Sequence, residues 1–165
     1  MGRSLTPDEL KAFLAQPYLA MLGTVREDGG PYVVPVWHEY DGEALYIVAR
    51  ERSQYVAHLR RDPRVAVAIV GEGAQVLILG QAAIVEGPTT QGRWVEIASR
   101  MAERYGGEDG LRYLRGTLDR PRYLIRILPE KIISWQGEGW HPRYYKGAQA
   151  NSAVRGDVAK ENRTA

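Results

Sequence analysis

Between Leu19 and Val85, apolar β-prone runs alternate with tight-turn signals, a pattern that restricts the chain to an antiparallel β architecture. Leu19 to Arg26 is followed by the turn Glu27-Asp28-Gly29-Gly30, and Tyr32 to Tyr40 resumes with β-branched and aromatic residues, which predicts a hairpin. Asp41-Gly42 marks a second turn. Ala44 to Ala49 then follows as a strand apolar on both faces, so three sequential strands are expected as a meander. Val65 to Val70 and Val76 to Val85 read as further strands around Gly71-Glu72-Gly73, and Tyr123 to Ile133 as a last strand around Pro129.

Helices punctuate this pattern. Thr6-Pro7-Asp8-Glu9 carries a capping box, with Leu5 and Leu10 at the staple positions. Ser53 is expected to cap a helix from Gln54 to Arg61, ended by Asp62-Pro63. From Thr89 to Tyr105 the apolar period lengthens through Trp94, Ile97, Ala98 and Met101, and a second helix from Asp109 to Leu118 follows Gly106-Gly107. A parallel α/β sheet would need a helix after nearly every strand, and that alternation is absent. The expectation is a mainly β fold: a closed six-stranded antiparallel barrel of Greek-key type with peripheral helices. Residues 1–146 form the expected domain and residues 147–165 a polar tail.

Composition narrows the function classes. The 165 residues suit one domain, and 44% hydrophobic with 25% charged residues is ordinary for a globular protein. Lys and Arg number 22 against 20 Asp and Glu, a surplus too small to demand nucleic acid as a partner. The absence of cysteine excludes disulfides and thiolate chemistry, and it is compatible with a reducing cytoplasm, the expected location. No apolar stretch is long enough for a signal peptide or membrane span. His38, His58 and His141 form no ligand-spaced pair, so no metal site is expected. Ser53 and Ser99 lack a nucleophile-elbow context.

Chemistry concentrates near the end of the last strand. Trp135-Gln136-Gly137 and His141-Pro142-Arg143 offer a stacking surface and two donors suited to a flat anionic ligand. These residues stand in one order with Gly30 to Trp37, Asp41 to Arg50, Ser53 to Val67, and Gln75-Val76 ending in Gly80. Together the motifs resemble the pyridoxamine 5′-phosphate oxidase-like superfamily of FMN-binding split β-barrels, including its branch that uses deazaflavin F420. The resemblance runs from about Leu5 to Lys146.

It implies a homodimer with cofactor sites in the clefts between barrels. Cofactor contacts carried over are Val33, Val34, Pro35 and Val36 on the second strand, Ile47 and Val48 on the third, Gln75, Trp135 and Arg143. Arg50, Ser53, Gln54 and Tyr55 fall where the cofactor phosphate is held. FMN is the first expectation for the cofactor, with F420 and then haem as alternatives. A small-molecule substrate and NAD(P)H as electron donor complete the expected partners. His141 is the candidate substrate contact or proton donor, and no other catalytic residue is named.

Two departures from the family pattern stand out. The FMN oxidases carry an Arg early on the second strand and a Lys in the Ser-x-Lys segment, where this chain has Val33 and Tyr55. Charged hydrogen bonds contribute roughly 1.5–3 kcal/mol each, so two lost anchors would cost a few powers of ten in affinity unless replaced. Arg50, Arg52, Ser53 and the N–H groups opening the Ser53 helix are the expected substitutes. In addition, Gly139 stands where the vitamin B6 oxidases place a substrate-phosphate arginine, so pyridoxamine 5′-phosphate oxidation is expected to be absent or very poor. A non-catalytic flavin- or haem-binding module is the alternative reading.

Overall fold

A computed structural model describes residues 2–137, and His141 and Arg143 lie outside them. The elements are α1 (Pro7–Leu14), β1 (Ala20–Val25), β2 (Pro31–Val36), β3 (Glu39–Tyr40), β4 (Leu45–Arg50), α2 (Gln54–Arg61), β5 (Arg64–Gly71), β6 (Ala74–Thr89), α3 (Arg93–Arg115) and β7 (Arg122–Gln136). The strands form one antiparallel sheet in the order β2-β1-β5-β6-β7-β4-β3. Strand content exceeds helix content, as the turn pattern implied.

Three expectations need correction. The strands number seven rather than six, because the run from Tyr32 to Tyr40 breaks at Trp37-His38 into β2 and the two-residue β3. The anticipated meander is therefore interrupted: β2 pairs β1, whereas β4 pairs β3 and β7. The sheet is also not closed, and β2 and β3 are its edges. Pro31 and Pro35 remove two ladder donors from β2, which suits an edge position.

Local chemistry explains the elements that position the site. Thr6 closes its capping box with Glu9, whose carboxylate lies well below the usual range because Arg3 and the Thr6 N–H bond it. Ser53 flanks α2 but makes no side-chain cap; its hydroxyl engages Tyr55 instead. The two expected late helices are one element, α3, kinked at Gly107, whose φ of 54° and ψ of −139° lie outside helical geometry. Glu86 on β6 caps α3, accepting from the N–H groups of Arg93 and Trp94 at 3.0 Å each. β6 and β7 form a long ribbon whose register shifts between Leu79 and Gly80, where a Cβ added to Gly80 would stand 2.2 Å from the Leu128 carbonyl oxygen.

Apolar side chains segregate into two clusters. Leu22, Ile47, Val67, Ile78, Ile125 and Ile127 belong to the barrel interior. Tyr46 and Leu124, on the opposite faces of β4 and β7, meet Trp94, Ile97 and Met101 of α3 in the second. Period-two alternation on β4 thus feeds both clusters, Leu45, Ile47 and Ala49 inward and Tyr46 and Val48 toward α3.

Candidate functional site

Where α3 lies over β4, a cavity of about 320 Å³ opens beside the β2 edge. Val36, Val48, Ala98, Met101, Ala102 and Leu114 give it apolar walls. Pro35 and Trp37 border it on the β2 side, while Arg50, Tyr55, Tyr113 and Arg122 supply polar groups. Size and lining suit a small organic ligand with a flat apolar body and an anionic end.

The polar groups cluster. Arg50 and Arg122 are opposite residues in the β4·β7 register. The Arg50 guanidinium donates to the Tyr113 hydroxyl and lies 5.7 Å from that ring's centroid. Arg122 is only 5% exposed; it donates to the Thr117 carbonyl at 3.0 Å and hydroxyl at 2.7 Å, and it sits 5.0 Å over the Trp94 ring. Burial, then the positive charges of Arg50 and Arg120, lower its pKa. Burial raises the pKa of the Tyr55 phenol, which stays neutral at physiological pH.

The wall next to β2 is held by a second network. Trp37 stacks on Tyr105 of α3, with centroids 5.1 Å apart and planes inclined by 6°. The fully buried His38 places Nδ1 2.9 Å from the Tyr105 hydroxyl and Nε2 3.2 Å from the Leu14 carbonyl. That carbonyl can only accept, so Nε2 carries the proton. Arg104 donates to the His38 carbonyl. Burial and the Arg104 charge pull the His38 pKa down to about 4, so the ring is neutral.

Of the residues expected to meet a cofactor, the fold brings Pro35, Val36, Val48, Arg50 and Tyr55 to this cavity. Ile47 points the other way, into the barrel interior, and Val34 packs against that interior too. Val33 is 64% exposed on the outer face of β2. Ser53 stays beside Tyr55, whereas Gln54 lines a shallow surface cleft with Arg26 and His58. Gln75 and Trp135 are a cross-strand pair on β6 and β7 and do not line the cavity of their own chain. Trp135 thus belongs to the last strand instead of following it. Sequence reasoning missed Trp37, Met101, Tyr113 and Arg122. The signal for Arg122 was an arginine one residue before an otherwise apolar strand.

One sheet face carries a further feature. Across β2, β1, β5, β6 and β7, the register aligns Pro35, Met21, Ala68, Leu77 and Ile133 in one rank. Val33, Leu19, Val70 and Leu79 on the same face are exposed, Val70 by 64%. These side chains point away from the interior cluster, and Met21 at 42% is exposed with them.

The fold is an open antiparallel split barrel with a helix-covered cavity at its edge, and the comparisons agree with it. The family model described as pyridoxamine 5′-phosphate oxidase matches residues 6–136, so the chain belongs to the pyridoxamine 5′-phosphate oxidase-like family. Among solved structures, it is similar to the conserved hypothetical protein Rv2991 of Mycobacterium tuberculosis, at 26% identity over 80% of this chain and 85% of that one, with a TM-score of 0.66. An F420 reductase shares 21% identity over 74% of this chain and 94% of its own, with a TM-score of 0.58. HutZ, the haem-storage protein of Vibrio cholerae, shares 19% over 81% and 96%, with a TM-score of 0.62. No curated protein matches the chain. Among the described residues, no helix is long and apolar enough to cross a membrane, and no cluster of His, Asp or Glu could hold a metal ion.

Proposed function

We propose that this chain is a homodimeric flavin-dependent oxidoreductase that binds FMN, or alternatively F420, and acts on a small molecule other than pyridoxamine 5′-phosphate. The observation that carries this reading is the cavity itself: apolar walls from Val36, Val48, Met101 and Leu114, with two arginines among its polar groups, in a family that uses flavins. The residues present fit the group, since the walls would flank the ring system while Arg50 and Arg122 face its anionic tail. A bound flavin supplies hydride chemistry, so the protein need only bind, orient and exclude water. Aliphatic walls serve the last task, and the neutral Tyr55 offers a donor without adding charge.

The exposed sheet face supports the dimer. A contiguous apolar surface across five strands is rare on a monomer and fits an isologous contact. A two-fold axis along the strands would exchange the two edges of this face. The partner's Gln75 and the partner's Trp135 would then lie across β2, beside Pro35 and Trp37, which would bring the remaining expected contacts to the cavity.

Haem storage by HutZ makes a haem-binding module the second reading. The flavin reading is favoured because no described histidine lines the cavity: His38 is committed to Leu14 and Tyr105, and His58 to Thr24 at 2.9 Å. Absorbance of the purified protein, followed by titration with FMN, F420 and haem, tests both. A flavin spectrum bleached by NAD(P)H is expected. A Soret band from haem, with no flavin bound, would reject the oxidoreductase.

A further inference from the structure

Arg50 and Arg122 stand directly across from each other at the end of β4 and the start of β7. Like charges at opposite positions of an antiparallel pair are destabilising. Arg122 is nearly inaccessible, and Asp119 acts on it through space without forming an ion pair. Among the described residues, neither arginine pairs with a carboxylate. Thr117 takes two of the five N–H donors that a guanidinium carries, and both of its partner atoms are neutral. Two positive charges therefore share one cavity that has no carboxylate among its lining residues, and the phenols of Tyr55 and Tyr113 border the same space.

We infer that Arg50 and Arg122 form a clamp for a dianionic phosphate on the cavity's ligand. Two guanidiniums balance one phosphate dianion, and a tetrahedral group can accept from both arginines and a phenol at once. Placed between the arginines, the anion turns their mutual repulsion into shared attraction. The clamp also supplies charged anchors to a chain with Val33 and Tyr55 in place of the Arg and Lys that the sequence resemblance implies. It relocates the anion contact from β2 to the β4·β7 seam. The identity of the ligand as FMN rests on the function proposed above, whereas the clamp itself does not.

Fluorescence titration with FMN and with riboflavin, which has the same ring system and no phosphate, tests the inference. Thermal melts in inorganic phosphate provide a readout free of flavin. Wild-type protein should bind FMN at least ~10-fold tighter than riboflavin. Arg50→Met should weaken FMN by about 10- to 100-fold and leave riboflavin unchanged, in line with the loss of one charged hydrogen-bond partner. Arg122→Met should behave alike, and if that buried change prevents folding, the exposed Arg50 decides alone. Equal affinity for FMN and riboflavin in wild type, or unaltered FMN affinity in Arg50→Met, overturns the clamp while leaving a flavin enzyme standing. If neither flavin binds, yet inorganic phosphate raises the melting temperature of wild type and not of Arg50→Met, the flavin reading fails and the clamp stands. No flavin binding and no response to phosphate overturns it.

Discussion

Trp37 lies face to face with Tyr105, 5.1 Å between centroids, and so fastens the break between β2 and β3 to the middle of α3. The Tyr105 hydroxyl stands 2.8 Å from the Tyr18 carbonyl and 2.9 Å from the unprotonated His38 Nδ1, and its single proton is donated to one of these two acceptors. Tyr105→Phe keeps the stack and removes that bond. It should lower stability by about 1–2 kcal/mol, with Tyr105→Ala costing more through the lost ring contact. Urea denaturation of the two variants measures both, and a Phe variant as stable as wild type would show that the hydroxyl contributes nothing.

Acid should act through His38. Its folded pKa of about 4 lies below the unfolded value of about 6.5, so below pH 6.5 the unfolded chain takes up a proton that the folded chain refuses. Stability then falls as pH drops from 6.5 toward 4, by up to ~3 kcal/mol at 1.36 kcal/mol per pKa unit. His38→Gln should flatten that slope, whatever it costs at neutral pH. Denaturation midpoints at pH 7 and pH 4.5 for both proteins give the comparison, and parallel slopes would remove His38 as the cause.

Glu86 connects β6 to the roof of the cavity. Replacing it by Ala leaves the Arg93 and Trp94 N–H groups without their acceptor and deletes a negative charge at the helix start. A loss of about 1–2 kcal/mol is expected. Because α3 carries Ala98, Met101 and Leu114, ligand affinity should fall along with the melting temperature. A drop in melting temperature with unchanged affinity would separate the cap from the site.

Ala68 sits near the centre of the exposed sheet face, between Met21 and Leu77. In a two-fold dimer each substitution enters the contact twice, so Ala68→Arg should convert the proposed dimer to monomer with the fold intact. Sedimentation velocity reads the mass, and far-ultraviolet circular dichroism confirms folding. A dimer that survives Ala68→Arg would place the contact elsewhere.

Legibility followed the range of the interactions. Local chemistry was readable: the Thr6 box, the Gln54–Arg61 helix and the turns at Gly29 and Gly42 depend on neighbours in sequence. Pairing over long distances was not. The break at Trp37-His38 arises because His38 turns inward to Leu14 and Tyr105, residues 24 and 67 positions away. The extent of β6 was underread because nothing in its own sequence states that β7 continues to Gln136 beside it. The site divides the same way. Motif order named Pro35, Val36, Val48, Arg50 and Tyr55, which line the cavity, whereas Tyr113 and Arg122 reach it only because α3 folds back over β4 and β7.

The separation of the two apolar clusters has a structural consequence. β4 and β7 insulate the strand interior from the helical roof, so exchanging Ala98 or Ala102 for bulkier residues would reshape the chamber without disturbing strand register. The shape of the cavity can therefore change along a single helix while the scaffold beneath it stays put.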